Sequence, residues 1–178
     1  MKTMALSVGA ALAGLFLALS SPAEAQIRLG QPAGKSSGGG GGGSLIDGSD
    51  PAALAKVMQE LGYFAKLSET SSGRPKIESK IGRKNFGIYF YDCKDNKNCK
   101  SISFSTGWEI KNKRPFDLAV INKWNSEKRF GQAFVDDDGD PNIAWAVVLS
   151  GGISRPAFEE TLDYWQSAVT DFEKMAMQ

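Results

Sequence analysis

The densest group of side chains that could do chemistry is an acidic cluster in the second half of the chain. It contains Asp136, Asp137, Asp138 and Asp140, set around Gly139. Closely spaced carboxylates can converge on one cation, so a calcium loop or a metal-dependent hydrolase is one interpretation. An EF-hand loop, however, needs flanking helices and a closing Glu at its twelfth position, where this sequence has Val147. Asp-Gly between two apolar runs is instead typical of a hairpin turn, so we expect no bound metal and no catalytic carboxylate here.

Nucleophilic residues give no better basis for an enzyme. The chain contains no His, so a Ser-His-Asp or Cys-His arrangement is impossible. Ser79 and Lys80 are neighbours in a strand-like run, which places their side chains on opposite faces. We therefore expect no enzymatic activity and no cofactor.

The two cysteines predict a structural disulfide. Cys93 and Cys99 bracket a short polar loop between two strand-like runs. In an exported protein this setting favours a bridge that pins the loop. A redox-active or metal-binding pair is the alternative, but the spacing is not C-x-x-C and no His is available as a further ligand.

The first 25 residues have the features of a secretory signal peptide. Lys2 precedes an apolar run from Met4 to Leu19, and Ala23 to Ala25 form a small-x-small cleavage site. An uncleaved anchor is the alternative, but the run falls short of the roughly 20 residues that span a bilayer. We expect cleavage between Ala25 and Gln26 and a periplasmic or secreted protein.

The composition divides the mature chain into a tether and one domain. Residues 26–47 are rich in Gly, Ser and Pro and include an unbroken run from Gly38 to Gly43. Such a segment buries too little apolar surface to order itself, which predicts a disordered tether. Residues 48–178 are long enough for a single domain.

Hydrophobic periodicity predicts an α+β fold with the order α-β-β-β-β-α-β-β-α and an antiparallel sheet. The first helix has Ser49 or Asp50 as its cap and Pro51 in its first turn, the second begins at Pro115 and runs to about Asn125, and the third begins at Ser154. The third helix has a long apolar stripe and an acidic opposite side. The stripe consists of Phe158, Leu162, Trp165, Val169, Phe172 and Ala176.

The stretch from Phe130 to Ser154 predicts a hairpin that is nearly apolar on both faces and therefore belongs in the middle of the sheet. We assign large side chains to one face and small ones to the other. An apolar row of this kind is seldom left open to water, so it is our candidate partner surface. The row consists of Gly131, Ala133, Val135, Ala144, Ala146 and Val148, and the alternative surface is the face of Tyr89, Tyr91, Ser101, Ser103 and Ser105.

Charge is polarised along the chain although the net charge is only +1. Residues 74–114 hold eleven basic and four acidic side chains, whereas residues 130–178 hold two basic and nine acidic ones. We expect the two regions to lie close together and neutralise each other. The alternative is a basic patch that faces an anionic partner such as a membrane surface.

Several sequence motifs resemble the YbjN family. They are F-G-I-Y-F-Y-D-C from Phe86, W-N-S-E-K-R-F from Trp124, the D-D-D-G-D-P turn, and the helix entry G-G-I-S-R-P-A-F. The resemblance covers roughly Ile46 to Ala176. Members are described as bacterial sensory transduction regulators, which implies an α+β fold similar to type III secretion chaperones and supplies no catalytic residues. The signal peptide, the tether and the disulfide depart from the common cytoplasmic form.

These observations together favour an exported, chaperone-like or regulatory module that binds another protein. A homodimer is a further possibility, and we expect no nucleic-acid partner. Two alternatives of other classes are a metal-dependent hydrolase built on residues 136–140 and a structural component of the cell envelope.

Overall fold

The structure is a computed structural model, and it describes residues 45–110 and 115–177. The predicted signal peptide, its cleavage site at Ala25 and Gln26, and the predicted tether up to residue 44 lie outside the described residues. The described residues fall within one compact unit. No helix among the described residues is both long and apolar enough to cross a bilayer.

The predicted order of elements is confirmed. Within the described residues, three helices and six strands follow one another as α1 (Pro51–Glu60), β1 (Ala65–Glu69), β2 (Pro75–Ile81), β3 (Lys84–Tyr91), β4 (Ser101–Gly107), α2 (Leu118–Glu127), β5 (Gln132–Val135), β6 (Pro141–Val148) and α3 (Arg155–Ala176). The strands form one antiparallel sheet in the order β1-β2-β3-β4-β6-β5. The α+β fold class is thus also confirmed.

Helix α3 covers one face of the sheet. Its predicted apolar stripe is buried from Phe158 to Phe172, with Trp165 fully enclosed at the centre. The Trp165 ring lies 5.9 Å from that of Phe86 on β3 and 5.7 Å from that of Phe104 on β4, measured between centroids. The acidic side of the helix is exposed, as predicted. Aromatic packing across two central strands therefore anchors α3 on the sheet.

Helix α2 begins three residues later than the sequence predicts. Asp117 is the N-cap, and its side chain accepts a hydrogen bond from the Ala119 N–H at 2.9 Å. A short polar side chain satisfies a free helical N–H better than Pro115 can, so the capping residue sets the start. Within α2 only Ile121 and Trp124 are buried.

The folded domain also begins before residue 48. Ile46 is buried and exchanges two backbone hydrogen bonds of 2.8 Å with Ile153. Gly48 and Ser49 then accept backbone hydrogen bonds from Cys99 and Asn98, at 2.7 and 3.1 Å. The end of the predicted tether is therefore part of the packed structure, and we call residues 46–50 the N-terminal strap.

The predicted disulfide joins Cys93 to Cys99. Its loop contains three non-glycine residues in the left-handed region, Asp95, Asn96 and Asn98, with φ of 51°, 58° and 50°. Short amide and carboxylate side chains tolerate this conformation better than others. The bridge thus closes a tightly curled loop against which the N-terminal strap is bonded.

Candidate functional site: the open face of the sheet

The acidic turn organises its own hairpin. The Asp136 carboxylate accepts hydrogen bonds from the N–H groups of Asp138 and Asp140 and from the Asn142 side chain, at 3.1, 2.9 and 2.7 Å. These donors, led by the Asp140 amide, hold the pKa of Asp136 below its usual value. Asp140 in turn accepts from the Ile110 N–H at 2.8 Å. Two of the carboxylates therefore support the backbone, and nowhere in residues 45–110 and 115–177 do three candidate ligands gather around a metal position.

Ser79 and Lys80 form no catalytic pair. Ser79 is buried and its hydroxyl donates to the Phe64 carbonyl at 2.6 Å. Lys80 lies on the other face of β2, with its ammonium 5.0 Å from the centre of the Phe64 ring. The serine therefore anchors the chain beside β1 and is not activated by the lysine.

A lysine that the sequence did not single out has a perturbed environment. Lys84 is half-buried, donates to the Gly107 carbonyl and lies 4.2 Å from the centre of the Trp108 ring. Burial lowers the pKa of Lys84, an effect that nearby Glu173 partly opposes. Glu173 accepts a 2.9 Å hydrogen bond from the Trp108 indole. This cluster ties the end of α3 to the sheet, and both Lys84 and Trp108 are engaged in packing.

The predicted small-residue row does not lie on one face. Residue pairs Ala133–Ile143 and Val135–Pro141 show that odd-numbered residues of β5 lie beside odd-numbered residues of β6. The hairpin loop from Asp136 to Asp140 contains an odd number of residues, which enforces this alignment. Ala133 and Val135 therefore face the helices, and only Ala144, Ala146 and Val148 face the opposite side. The prediction of a single row was wrong. Odd-numbered residues of β5 would share a face with even-numbered residues of β6 only if the loop between the strands had an even number of residues.

The prediction that this hairpin lies in the middle of the sheet is also wrong, since β5 is an edge strand. Gly131, with φ of 81°, turns the chain before β5 begins, and a Cβ there would meet Ile143 at 2.7 Å. The outer backbone of β5 is covered by a side chain of α2. The Asn125 amide accepts from the Ala133 N–H at 2.9 Å and donates to the Ala133 carbonyl at 3.1 Å. This amide substitutes for a neighbouring strand.

The sheet face opposite the helices is the candidate site, and we call it the open face. On β4 inward and outward residues alternate strictly. On β3 Phe86, Ile88 and Phe90 are buried while Tyr89 and Tyr91 remain accessible, and Gly87, between Phe86 and Ile88, is also buried. The register aligns three cross-strand rows on this face. They are Gly87–Ser105–Ala144, Tyr89–Ser103–Ala146 and Tyr91–Ser101–Val148.

The middle of the open face is flat, and the charged side chains of this face lie to one side of it. The three serines of β4, with Gly87, Ala144 and Ala146 beside them, form a low floor. The Tyr89 ring lies over Gly87, where a Cβ would come within 2.8 Å of it. Lys76, Glu78 and Tyr89 line a niche of about 650 Å³ at the β2 side. The Lys76 ammonium lies 5.6 Å from the centre of the Tyr89 ring and 3.6 Å from the Glu78 carboxylate. At the other side, β6 contributes the exposed Val148.

Fold and site define a small α+β domain with helices on one face of an antiparallel sheet and a polar to apolar platform on the other. A model of the YbjN family, described as "Putative bacterial sensory transduction regulator", matches residues 50–176. The chain belongs to the YbjN family. The resemblance found in its sequence motifs is thereby confirmed.

A solved structure supports the same fold. The chain is similar to the crystal structure of YbjN from E. coli, described as "a putative transcription regulator", with a TM-score of 0.53 and 16% sequence identity. The match covers 72% of this chain and 91% of that chain. A comparison with curated proteins finds no match. The family description is that of a regulator and not of an enzyme family.

Proposed function

We propose that this member of the family is an exported regulatory module that binds another protein through the open face of its sheet. The observation that carries the proposal is the open face itself, a flat platform of tyrosine, serine and alanine that no helix of the described chain covers. Flat surfaces with accessible tyrosine and small side chains suit protein contacts, because they bury area with little loss of side-chain entropy.

Charge indicates the chemistry of the partner. Lys66, Lys76 and Lys80 lie on the β1 and β2 side of the open face, with Glu78 as the acidic residue among them. On β6 the exposed residues of the face are apolar, namely Ala146 and Val148, and Lys128 and Arg129 lie beyond the strand. The partner surface that fits is therefore acidic opposite the lysines of β1 and β2 and apolar opposite Ala146 and Val148.

A substitution in the middle of the open face tests this proposal. Ser103→Arg places a long cation on the floor between Tyr89 and Ala146, so we expect it to reduce partner capture from envelope extract at least about tenfold. The measurement is quantitative affinity capture with immobilised mature protein, followed by the Kd of each purified captured protein.

Ser167→Arg is the matched control, since it makes the same change at an exposed position on α3. Both variants should unfold at the same temperature as the parent. Captured proteins that bind the Ser103 and Ser167 variants equally well would contradict the proposed surface. Association of the protein with itself, seen by analytical ultracentrifugation and lost in Ser103→Arg, would make a second copy the partner.

Export is the second part of the proposal and is supported by the leader-like start of the sequence and by the Cys93–Cys99 bridge. We expect protein recovered from the envelope fraction to begin at Gln26 and to carry no free thiol, because disulfides persist in oxidising compartments. Intact-mass measurement before and after reduction checks both points at once. A full-length chain with two free thiols in the cytoplasmic fraction would contradict export.

A further inference from the structure

The last part of β6 has an unprotected backbone edge. The Leu149 N–H donates a hydrogen bond to the Lys100 carbonyl at 2.8 Å, and the Pro141 carbonyl accepts one from the Trp108 backbone N–H at 3.0 Å. Odd-numbered residues of β6 therefore direct their backbone groups toward β4, and even-numbered residues direct theirs away from it. Strand β5 pairs with β6 only from Pro141 to Ala144, where its first residue, Gln132, lies opposite Ala144. The N–H and C=O groups of Ala146 and Val148 consequently point outward with no strand beside them in the described part of the chain.

This edge lacks the features that normally prevent pairing with another chain. Natural sheet edges are protected by charged residues, proline, bulges or a covering element. The outer edge of β5 is covered by Asn125. The sequence Ala146-Val147-Val148 contains none of these features, and Val148 is 68% exposed, the highest value among the large apolar side chains of the described residues.

A niche with a positive rim adjoins the edge. It has a volume of about 480 Å³ and is lined by Asn125, Lys128, Arg129, Gly131, Gln132, Ala144, Trp145 and Ala146. The lining contains two cations and no carboxylate. Lys128 bonds to Asp171 at 3.0 Å, whereas Arg129 lies over the Phe130 ring at 5.3 Å and has no acidic partner in the described residues. The niche therefore has an available cation for an incoming carboxylate.

We propose that an extended acidic segment of another protein binds here, adding a strand to the edge at residues 146–148 and placing a carboxylate near Arg129. Backbone hydrogen bonds to Ala146 and Val148 supply the register, and alternate side chains of the segment reach the open face. A second copy of the chain fits less well, because pairing over so few residues buries far less than the roughly 1,200 Å² of a stable interface. The inference rests on the proposed protein-binding function and names the kind of segment that binds.

The test uses a synthetic eight-residue peptide of alternating valine and threonine with one glutamate, capped at both ends. In the free protein the Val148 amide should exchange with solvent faster than the Val147 amide, which bonds to β4. The peptide should slow exchange at Ala146 and Val148 and leave Val147 unchanged. The same peptide with alternate N-methylated amides should bind roughly tenfold more weakly, because it cannot form the edge hydrogen bonds.

Two variants of one residue separate the backbone from the side chain. Val148→Pro removes an outward N–H and is compatible with an edge position, so it should weaken peptide binding about tenfold. Val148→Thr keeps the N–H and a similar shape, and should bind as the parent does. Equal binding by both variants would overturn the edge pairing. If the proline variant fails to fold, equal binding of the N-methylated and unmodified peptides to the parent protein would overturn it instead.

Peptide charge tests the second element of the proposal. A peptide with lysine in place of glutamate should bind more weakly, and Arg129→Gln should remove the difference. Equal binding of the two peptides to the parent protein would overturn the acidic preference. Concentration-dependent protection of the Val148 amide without any peptide would assign the edge to a second copy instead. Failure of the peptide while Ser103→Arg still abolishes capture would refute the edge and leave the open-face function standing.

Discussion

Replacing Trp165 with alanine is expected to lower the free energy of unfolding by about 3–5 kcal/mol. The side chain is fully buried and packs against Phe86 and Phe104, so its removal leaves a cavity between α3 and two central strands. The lost area and the unfilled volume both contribute to the cost. Chemical denaturation followed by circular dichroism measures the difference.

A milder substitution of Trp165 and a substitution of its neighbour Gln166 serve as controls for this prediction. The Trp165 indole N–H is buried without a hydrogen-bond partner in the described residues. Trp165→Phe keeps a ring in the core and removes this unsatisfied donor, so its cost should stay below about 1.5 kcal/mol. Gln166→Ala, next along α3 but exposed, should change stability by less than about 0.5 kcal/mol. A small effect of Trp165→Ala would mean that α3 is not anchored on the sheet by this residue.

Features that depend on local periodicity could be predicted from the sequence. The α3 stripe repeats with the helical period along most of a 22-residue helix, which makes its buried side clear before any packing is known. The alternation of Ile102 and Phe104 with serines likewise identifies the inward face of β4. The order of elements follows from such signals. The structure confirms this order.

Features that depend on loop length and on contacts distant in sequence were not predictable in the same way. One residue more or less in the turn at residues 136–140 changes which side chains of β5 and β6 share a face, so the candidate row was split. The covering of β5 by Asn125 and the pairing of Ile46 with Ile153 have no local signature. The open face was predicted as the alternative surface because its residues alternate within single strands.

Gly48 is the residue through which the N-terminal strap fits against the disulfide loop. Its carbonyl accepts the Cys99 N–H at 2.7 Å, and a Cβ at this position would overlap the Cys99 carbonyl oxygen. That neighbour is backbone in a loop closed by the disulfide, so it cannot move aside as a flexible side chain could. Only glycine allows the strap to approach the loop this closely.

Gly48→Ala is therefore expected to displace the strap and to destabilise the domain by about 2–3 kcal/mol, because the backbone bonds from Cys99 and Asn98 to the strap are lost together. Ser49→Ala is the matched control, since it leaves both backbone bonds in place and should cost less than about 0.5 kcal/mol. Denaturant unfolding measures the two costs. Amide hydrogen exchange should show faster exchange at Ile46 and Cys99 in Gly48→Ala, with the amides of β3 and β4 still protected. Equal stability of the two variants, with Ile46 and Cys99 protected in both, would show that the strap does not depend on this close approach.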